Sequence, residues 1–256
     1  MIAATIDVPA GGAWFEGHFP GHPILPGVAE LALATDALAR ETGRPIALQG
    51  IAFARLRQLV FPGDRLEISA RELEAERLRI DLKRDGELVA NAELFLGMPE
   101  AFRGETAASM ASTGSGSGFP GLDALLPHRA PMRFITSIQR ETADGLDCIA
   151  RIPVACALVS GGNAPPVAAI EAAAQAAAAW EALRRSRQAG VASPRIGYLV
   201  ALREIIYYAG SVPAERDLLA SVTLEAAAPP LTHYRIEVSL DGMLVTRGTI
   251  ATFLAG

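Results

Sequence analysis

Two stretches of the chain alternate apolar and polar residues on either side of an Asp-Gly pair. They lie at 79–89 (Arg-Ile-Asp-Leu-Lys-Arg-Asp-Gly-Glu-Leu-Val) and 235–245 (Arg-Ile-Glu-Val-Ser-Leu-Asp-Gly-Met-Leu-Val). Alternation with a period of two is typical of a strand with one buried face, and Asp-Gly favours a two-residue hairpin turn. The pattern therefore predicts two equivalent β-hairpins, one in each half of the chain.

A long apolar helix is predicted upstream of each hairpin, at 28–39 and 167–185, and each is entered through proline. Strand-like runs lie between helix and hairpin, at 48–60 and 65–70 in the first half and at 196–208 and 218–224 in the second. Because each helix is apolar on nearly all sides, we expect the sheet to wrap around it. The result is an α+β fold that is built twice.

The segment between the two halves has a different composition. Residues 98–118 carry a Gly/Ser alternation, few large apolar residues and no periodicity, which is typical of flexible coil. We therefore predict an N-terminal domain over 1–97, a linker over 98–118 and a C-terminal domain over 119–256. The linker composition fits an engineered junction as well as a natural one.

Charge and cysteine content narrow the classes of partner. The 256-residue chain has a net charge of −5, which argues against nucleic acid, whose phosphates favour a basic face. The chain opens without a basic region or an apolar run, and its longest apolar stretch, 164–183, is interrupted by charged and polar residues, so neither a signal peptide nor a membrane span is expected. Cys148 and Cys156 suggest neither a disulfide framework nor a metal site, so a cytoplasmic location is expected.

The most informative candidate chemistry lies at 17–27, Gly-His-Phe-Pro-Gly-His-Pro-Ile-Leu-Pro-Gly. It places His18 on a stiff Pro/Gly turn that leads directly into the first helix. When the two helix entrances are aligned, the first half has Ala32 where the second half has Glu171. Glu30 does not replace the missing acid, because two residues along a helix correspond to about 200° of rotation and it faces elsewhere.

These residues closely resemble the active-site motif of the hot-dog fold 3-hydroxyacyl-[acyl-carrier-protein] dehydratases of fatty-acid synthesis, the FabA/FabZ-like family. Further segments that resemble this family are 54–58 with 62–64, 125–132 and 170–175. The whole chain resembles a fusion of the two dehydratases of aryl-polyene gene clusters. The resemblance implies a double hot-dog fold, each half an antiparallel sheet around a long central helix, with histidine and carboxylate meeting between the halves.

The resemblance also implies a reaction, the dehydration of a (3R)-hydroxyacyl thioester to the trans-2-enoyl thioester in fatty-acid or polyene biosynthesis. His18 would take the α-proton as a neutral base. Glu171 would protonate the leaving β-hydroxyl, for which it must hold a proton near neutrality, as burial would favour. Gln175, one turn further along the helix, could orient the Glu171 carboxyl.

The oxygen of the thioester is expected to meet the start of the first helix. A helix N-terminus supplies unpaired N–H groups and the positive end of a dipole. Gly27 can donate there, whereas its counterpart Pro166 has no N–H. The first half lacks the acid and the second half lacks the N–H donor. Because these losses are complementary, they favour one site shared by both halves. Phe19 and Pro26 complete the predicted substrate-binding set.

No metal and no cofactor is expected, because the family's substrate is carried on the phosphopantetheine of an acyl carrier protein or of coenzyme A. The predicted partners are therefore an acyl carrier protein and an acyl thioester. Further homo-oligomerisation of the pseudo-dimer is compatible with the sequence, and the acyl chain length and head group are not determined by it.

Several other residues have an ordinary structural interpretation. His22 is interpreted as a residue that supports the catalytic histidine or lies at the mouth of a tunnel. His128 and His233 are interpreted as structural or surface histidines. The alanines at 172–179 are interpreted as close helix–sheet packing rather than as a ligand groove. Arg55 and Arg57 are more simply a solvated strand face than a contact for the carrier protein or its arm.

Two other functions stay open at this point. A hot-dog thioesterase uses a carboxylate, or water held by one, and would not need the histidine turn. A degenerate, non-catalytic partner of another dehydratase is also possible, and Ala32 in place of an acid supports it.

Overall fold

The computed structural model describes residues 1–74, 76–97, 119–189 and 194–254, and the predicted linker at 98–118 lies outside them. The first half consists of β1 (Ile2–Asp7), α1 (Gly27–Thr42), β2 (Leu48–Leu56), β3 (Arg65–Glu72), β4 (Arg77–Arg84) and β5 (Glu87–Leu96). The second half consists of α2 (Leu122–Leu125), β6 (Ile135–Glu141), β7 (Gly145–Ala150), β8 (Asn163–Ala164), α3 (Val167–Ala189), β9 (Gly197–Tyr207), β10 (Val212–Pro213), β11 (Leu218–Ala228), β12 (Leu231–Leu240) and β13 (Met243–Leu254). Both predicted helices and all four strand-like runs are present, whereas β1, β6, β7, β8 and β10 are additional strands.

Eleven strands form one continuous sheet with the order β1-β3-β4-β5-β2-β9-β13-β12-β11-β7-β6, while β8 and β10 form a separate pair. The halves are joined by the antiparallel pairing of β2 with β9, in which Gly50 lies opposite Ile206 and Arg55 opposite Ala201. A Cβ at Gly50 would lie 2.1 Å from the carbonyl oxygen of Ile205. The two halves therefore share backbone hydrogen bonds and approach closely at this junction.

The two predicted hairpins are confirmed. β4 and β5 are joined through Asp85 (φ 52°) and Gly86 (φ 82°), and β12 and β13 through Asp241 (φ 51°) and Gly242 (φ 79°). Positive φ at both central residues is what a two-residue type I′ turn requires, and Asp-Gly adopts it at low cost.

The sheet encloses the two long helices. α1 ends at Gly43, whose left-handed φ of 65° lets its N–H bond back to the last turn. Along α3, the alanines that face the sheet are almost fully buried, namely Ala172, Ala173, Ala176, Ala177 and Ala179. Because alanine lets the backbones approach closely, the sheet packs tightly around α3. This is the predicted arrangement, formed once around each helix.

Cys148 and Cys156 are free and buried. In the described part of the chain, no helix has both the length and the apolar character that crossing a bilayer would need.

Candidate active site

His18 and Glu171 come from different halves and lie in one buried site. His18 sits in the turn before α1 and is 7% exposed, and Glu171 lies near the start of α3 and is 4% exposed. Donor atoms of these two side chains and of His128 all lie within 4.8 Å of one another. The structure therefore brings together the imidazole and the carboxyl group that the sequence places about 150 residues apart.

The hydrogen bonding of His18 fixes its tautomer. Its Nδ1 lies 3.1 Å from the carbonyl oxygen of Ile24, and a carbonyl can only accept, so Nδ1 carries the hydrogen and Nε2 is left as a base. Phe19 stacks on the imidazole, with ring centroids 4.1 Å apart. Burial lowers the pKa of His18, and the nearby Glu171 raises it by less. The imidazole is therefore neutral near pH 7.

Gln175 holds the Glu171 carboxyl in one orientation. Its Nε2 donates to Glu171 Oε1 (2.9 Å) and to the Met132 carbonyl (2.7 Å), while its Oε1 accepts from the Phe134 N–H (2.8 Å). Gln175 is itself completely buried. The expected contact between Gln175 and the carboxyl is thus present, and it is made to Oε1 rather than to Oε2.

His128 is a site residue, and its interpretation as an ordinary structural or surface histidine is wrong. It is 6% exposed, its Nε2 lies 3.5 Å from Glu171 Oε1, and its ring centroid is 5.4 Å from that of His18. Burial lowers its pKa well below the usual range, and the neighbouring His18 and Arg129 add to this. The sequence signal was its place in the segment 125–132, which precedes the first strand of the second half and shares the family resemblance.

A close contact between the halves brings the two histidines together. Gly17, with a φ of 81°, precedes His18, and its carbonyl accepts from the Arg129 N–H (3.0 Å). A Cβ on Gly17 would lie 2.0 Å from the Arg129 carbonyl oxygen. Because only glycine fits this approach, the turn before α1 lies directly against the segment that carries His128.

The start of α1 offers the expected donor. Pro26 caps the helix, and the Gly27 N–H has no hydrogen-bond partner among the described residues. A Cβ on Gly27 would lie 2.3 Å from Leu56 Cδ1, so Leu56 packs directly against this glycine, and both residues line the cavity. At the equivalent position, Pro166 has no N–H to offer.

These groups open into one cavity of about 350 Å³. On α3 its lining follows a single helical stripe made of Glu171, Ala174, Ala178, Glu181 and Arg185. At 1.5 Å per residue this stripe is about 21 Å long. Ala174 and Ala178 pack against the core and also line this cavity, so the packing interpretation of the alanine run is incomplete at these two positions. Their small side chains leave room beside β9 and β13.

A second cavity, of about 260 Å³, occupies the equivalent place in the other half. Ala32 and Pro166 line it where the first cavity has Glu171 and Gly27. Among the described residues that line it, Asp36 is the one charged group. Among its described lining residues there is therefore no counterpart of His18, of Glu171 or of the Gly27 N–H at the equivalent positions.

The remaining candidates lie away from the reacting groups. His22 is exposed and His233 is half-buried on β12, and neither lines the catalytic cavity. Arg57 is exposed and lines that cavity, whereas Arg55 is exposed without lining it. Arg57 Nε also lies 3.3 Å from Asn91 Oδ1.

The cluster of His18, His128 and Glu171 also has the donor types that bind a transition metal. Zinc bonds to such atoms are about 2.0–2.2 Å long, so atoms spread over 4.8 Å would have to move inward to share an ion. As they stand, the groups meet the needs of acid–base catalysis, and the expectation of a metal-free reaction stays a prediction.

Comparison with known families matches both halves. The model of the ApeI-like family, described as ApeI dehydratase, matches residues 1–93, and that of the ApeP-like family, described as ApeP dehydratase, matches residues 120–255. The 3-hydroxyacyl-[acyl-carrier-protein] dehydratase FabZ of Latilactobacillus sakei is 40% identical over 103 residues, which cover 36% of this chain and 73% of the relative. The chain spans 53% to 73% of the length of the first curated relatives that it matches.

Solved structures share the architecture. A monomeric dehydratase domain from a trans-AT polyketide synthase split module superposes with a TM-score of 0.74 at 16% identity, covering 99% of both chains. The dehydratase heterocomplex ApeI:P from Xenorhabdus doucetiae gives a TM-score of 0.50 at 21% identity, covering 54% of this chain and 93% of that one. At these identities the likeness concerns the fold, and it confirms the double hot dog.

Proposed function

The chain belongs to the ApeP-like dehydratases, joined here to an ApeI-like unit, and on that premise we propose that it dehydrates (3R)-hydroxyacyl thioesters to trans-2-enoyl thioesters. One observation carries this proposal. His18 from the first half and Glu171 from the second share a buried cavity with an unpaired N–H at Gly27. These three groups are the base, the acid and the oxygen-binding donor that such an elimination requires.

The first proton transfer is assigned to His18. Nε2, free of hydrogen, removes the proton from the α-carbon, and negative charge develops on the thioester oxygen. The Gly27 N–H and the positive end of the α1 dipole stabilise that charge. The imidazolium that forms is stabilised by the nearby carboxyl group and by the Ile24 carbonyl, which accepts from Nδ1.

The leaving group is assigned to Glu171. Its Oε2 gives a proton to the β-hydroxyl, the C–O bond breaks, and water departs as the double bond forms. Gln175 keeps the carboxyl aligned through Oε1, and His128 Nε2 lies 3.5 Å from the same oxygen. The turnover ends when the proton taken by His18 returns through water to Glu171, so the protein is regenerated.

An acyl carrier protein is the proposed bearer of the substrate. The FabZ relative is named for a substrate on acyl carrier protein, and Arg57 places a positive charge at the cavity of this chain. Acidic carrier surfaces and the phosphate of the arm suit such a charge. Coenzyme A thioesters supply the same arm and serve as the comparison substrate.

The proposal is tested by turnover of wild type, His18→Ala and Glu171→Gln on a 3-hydroxyacyl thioester, borne on carrier protein and on coenzyme A. Each variant is expected to lose roughly 10²–10⁴-fold in kcat, as the loss of one acid–base group usually costs. Enoyl formation and thiol release are measured on the same samples, because a thioesterase would release thiol without forming enoyl product.

His22→Ala and Asp36→Asn are the matched controls. His22 lies in the same turn as His18 but is exposed, and Asp36 lies on the neighbouring helix against the second cavity. Both controls should keep wild-type turnover. Full activity in Glu171→Gln, or thiol release as the main product, would overturn the shared-site dehydratase.

A further inference from the structure

The catalytic cavity contains, on α1, a carboxyl that has no part in the acid–base pair. Glu30 lies one turn after Gly27 on α1, and both residues line the cavity. The Glu30 side chain is 3% exposed, and its Oε2 has no hydrogen-bond partner among the described residues. Leaving a buried polar atom unpaired costs free energy, so a partner from outside the protein would offset a cost that the fold already bears.

Arg84, whose charge acts on the Glu30 carboxyl, is hydrogen-bonded to other groups. Its guanidinium donates to Asp64 Oδ2 (2.5 Å), to the Leu59 carbonyl (3.1 Å) and to Gln58 Oε1 (3.0 Å). Burial raises the pKa of Glu30 well above its usual range, and the charge of Arg84 offsets only part of this. Burial therefore favours the neutral form of Glu30, whose O–H can donate.

The placement of this carboxyl is asymmetric between the halves. The residue equivalent to Glu30 on α3 is Ala169, which is fully buried. Conversely, the α1 residue equivalent to Glu171 is Ala32. Glu171 lines the first cavity, whereas Ala32 lines the second. The first cavity thus receives Glu30 from α1 and both Glu171 and Glu181 from α3, and Glu181 already accepts from the Tyr234 hydroxyl (2.5 Å). The second cavity receives only Asp36 among the described carboxyls of the two helices.

The direction of the substrate decides what Glu30 meets. In the proposed reaction the thioester oxygen binds at Gly27 on α1 and the β-hydroxyl at Glu171 on α3. The acyl chain therefore continues beyond Glu171, beside the small side chains of Ala174 and Ala178. The arm leaves from the sulfur on the α1 side, where Glu30 lies.

We propose that Glu30 positions the substrate by donating a hydrogen bond from its carboxyl group to an amide carbonyl of the phosphopantetheine arm. This inference rests on the proposed function, because the reaction sets the direction of the thioester. Glu30 is a positioning residue rather than a catalytic one. By fixing the arm, Glu30 helps to hold the thioester at Gly27. A fixed arm has already lost its conformational entropy, so placing the thioester costs less additional entropy.

Two variants distinguish a hydrogen-bonding role of Glu30 from a role in packing. Glu30→Leu removes the donor but keeps an apolar group of similar size, and Glu30→Gln keeps an uncharged donor. Each is compared with wild type on a 3-hydroxyacyl pantetheine and on the ethyl thioester of the same acid, which lacks amides. The Kd of the enoyl pantetheine product, which needs no turnover, is measured by calorimetry alongside.

With the pantetheine thioester, Glu30→Leu should raise KM and the product Kd roughly tenfold with little change in kcat, as the loss of one hydrogen bond to ligand would. Glu30→Gln should stay within about twofold of wild type. With the ethyl thioester, all three proteins should have the same kcat/KM. The thermal midpoint of Glu30→Leu should not fall, because an unpaired buried polar group has been removed.

Equal losses on both thioesters, an unchanged Kd in Glu30→Leu, or a loss in Glu30→Gln as large as in Glu30→Leu would each overturn the inference. These outcomes differ from a failure of the proposed function. In that case wild type would form no enoyl product from either thioester, while the Kd comparison would still decide the role of Glu30.

Discussion

Gln175 shows how a single buried amide can serve both folding and chemistry. On one side it pairs with the backbone at Met132 and Phe134, and on the other it donates to Glu171. It thereby ties α3 to the segment that precedes β6. The catalytic carboxyl is aligned by a residue that also holds two parts of the second half together.

Gln175→Leu should therefore lower both stability and activity. The substitution leaves the Phe134 N–H and the Met132 carbonyl unpaired in the interior, which costs about 1–3 kcal/mol in unfolding free energy. It also frees the carboxyl to rotate, so kcat should fall while KM changes less. Urea unfolding and steady-state kinetics measure the two effects. Gln139→Leu, a change at a half-buried position on β6, is the control, and an unaltered unfolding midpoint in Gln175→Leu would contradict this account.

The two site histidines should make stability depend on pH. Burial lowers the pKa of His18 and lowers that of His128 well below the usual range, whereas in the unfolded chain both titrate near about 6.5. Below that pH the unfolded state binds more protons than the folded state. The free energy of unfolding of the protein therefore decreases as the pH falls. Glu30, whose pKa is raised, acts in the opposite direction over the range above its unfolded value.

The comparison that isolates His128 is wild type against His128→Gln. Between pH 7.5 and pH 5 the denaturant midpoint of wild type should fall relative to that of His128→Gln, because the variant has one fewer buried imidazole to charge. His22→Gln, at an exposed position, should follow wild type throughout. If His128→Gln and wild type have parallel pH profiles, His128 is not a buried neutral imidazole.

At the scale of elements, the site depends on how the turn before α1 meets the segment before β6. The sequence predicts the turn and the helix, because proline and glycine restrict the backbone locally. It does not predict that Gly17 lies against Arg129, since that contact joins residues more than a hundred positions apart. The misinterpretation of His128 has the same cause.

Gly17→Ala should therefore separate the two histidine-bearing segments. The new Cβ would overlap the Arg129 carbonyl, which is backbone and cannot rotate away. We expect a loss of thermal stability together with a large loss of kcat. Gly12→Ala is the matched control, since Gly12 has a similar φ of 86° but open space around its Cβ position. Equal effects of both changes would mean that backbone strain alone, rather than the contact with Arg129, is responsible.

At the scale of the whole molecule, two similar folds enclose two unequal cavities. The cavity with His18 and Glu171 has the complete set of reacting groups, and the cavity with Ala32 and Pro166 has none of them. The two halves share one sheet across β2 and β9. A single chain therefore contains a complete active site, which two separate hot-dog domains would have to form by association.

One active site per chain is the expected stoichiometry, and Ala32→Glu should not create a second. The new carboxyl would face the second cavity, where Pro166 has no N–H and the described lining includes no histidine. Turnover per chain should therefore be unchanged in Ala32→Glu, and the double variant Ala32→Glu with Glu171→Gln should be as inactive as Glu171→Gln. Recovery of activity in the double variant would show that the second cavity can catalyse.

Local physics determined much of this protein from the sequence alone. The Asp-Gly hairpins, the proline-entered helices and the complementary pair of Ala32 and Glu171 all follow from neighbours in the chain, whose backbone preferences and helical spacing are fixed by residue type. Only the tertiary structure decided that His128 joins the site, that Glu30 faces the same cavity, and that Ala174 and Ala178 line it as well as pack against the core. Those outcomes depend on which surfaces of two distant segments meet when the sheet closes around the helices, and no local pattern encodes that meeting.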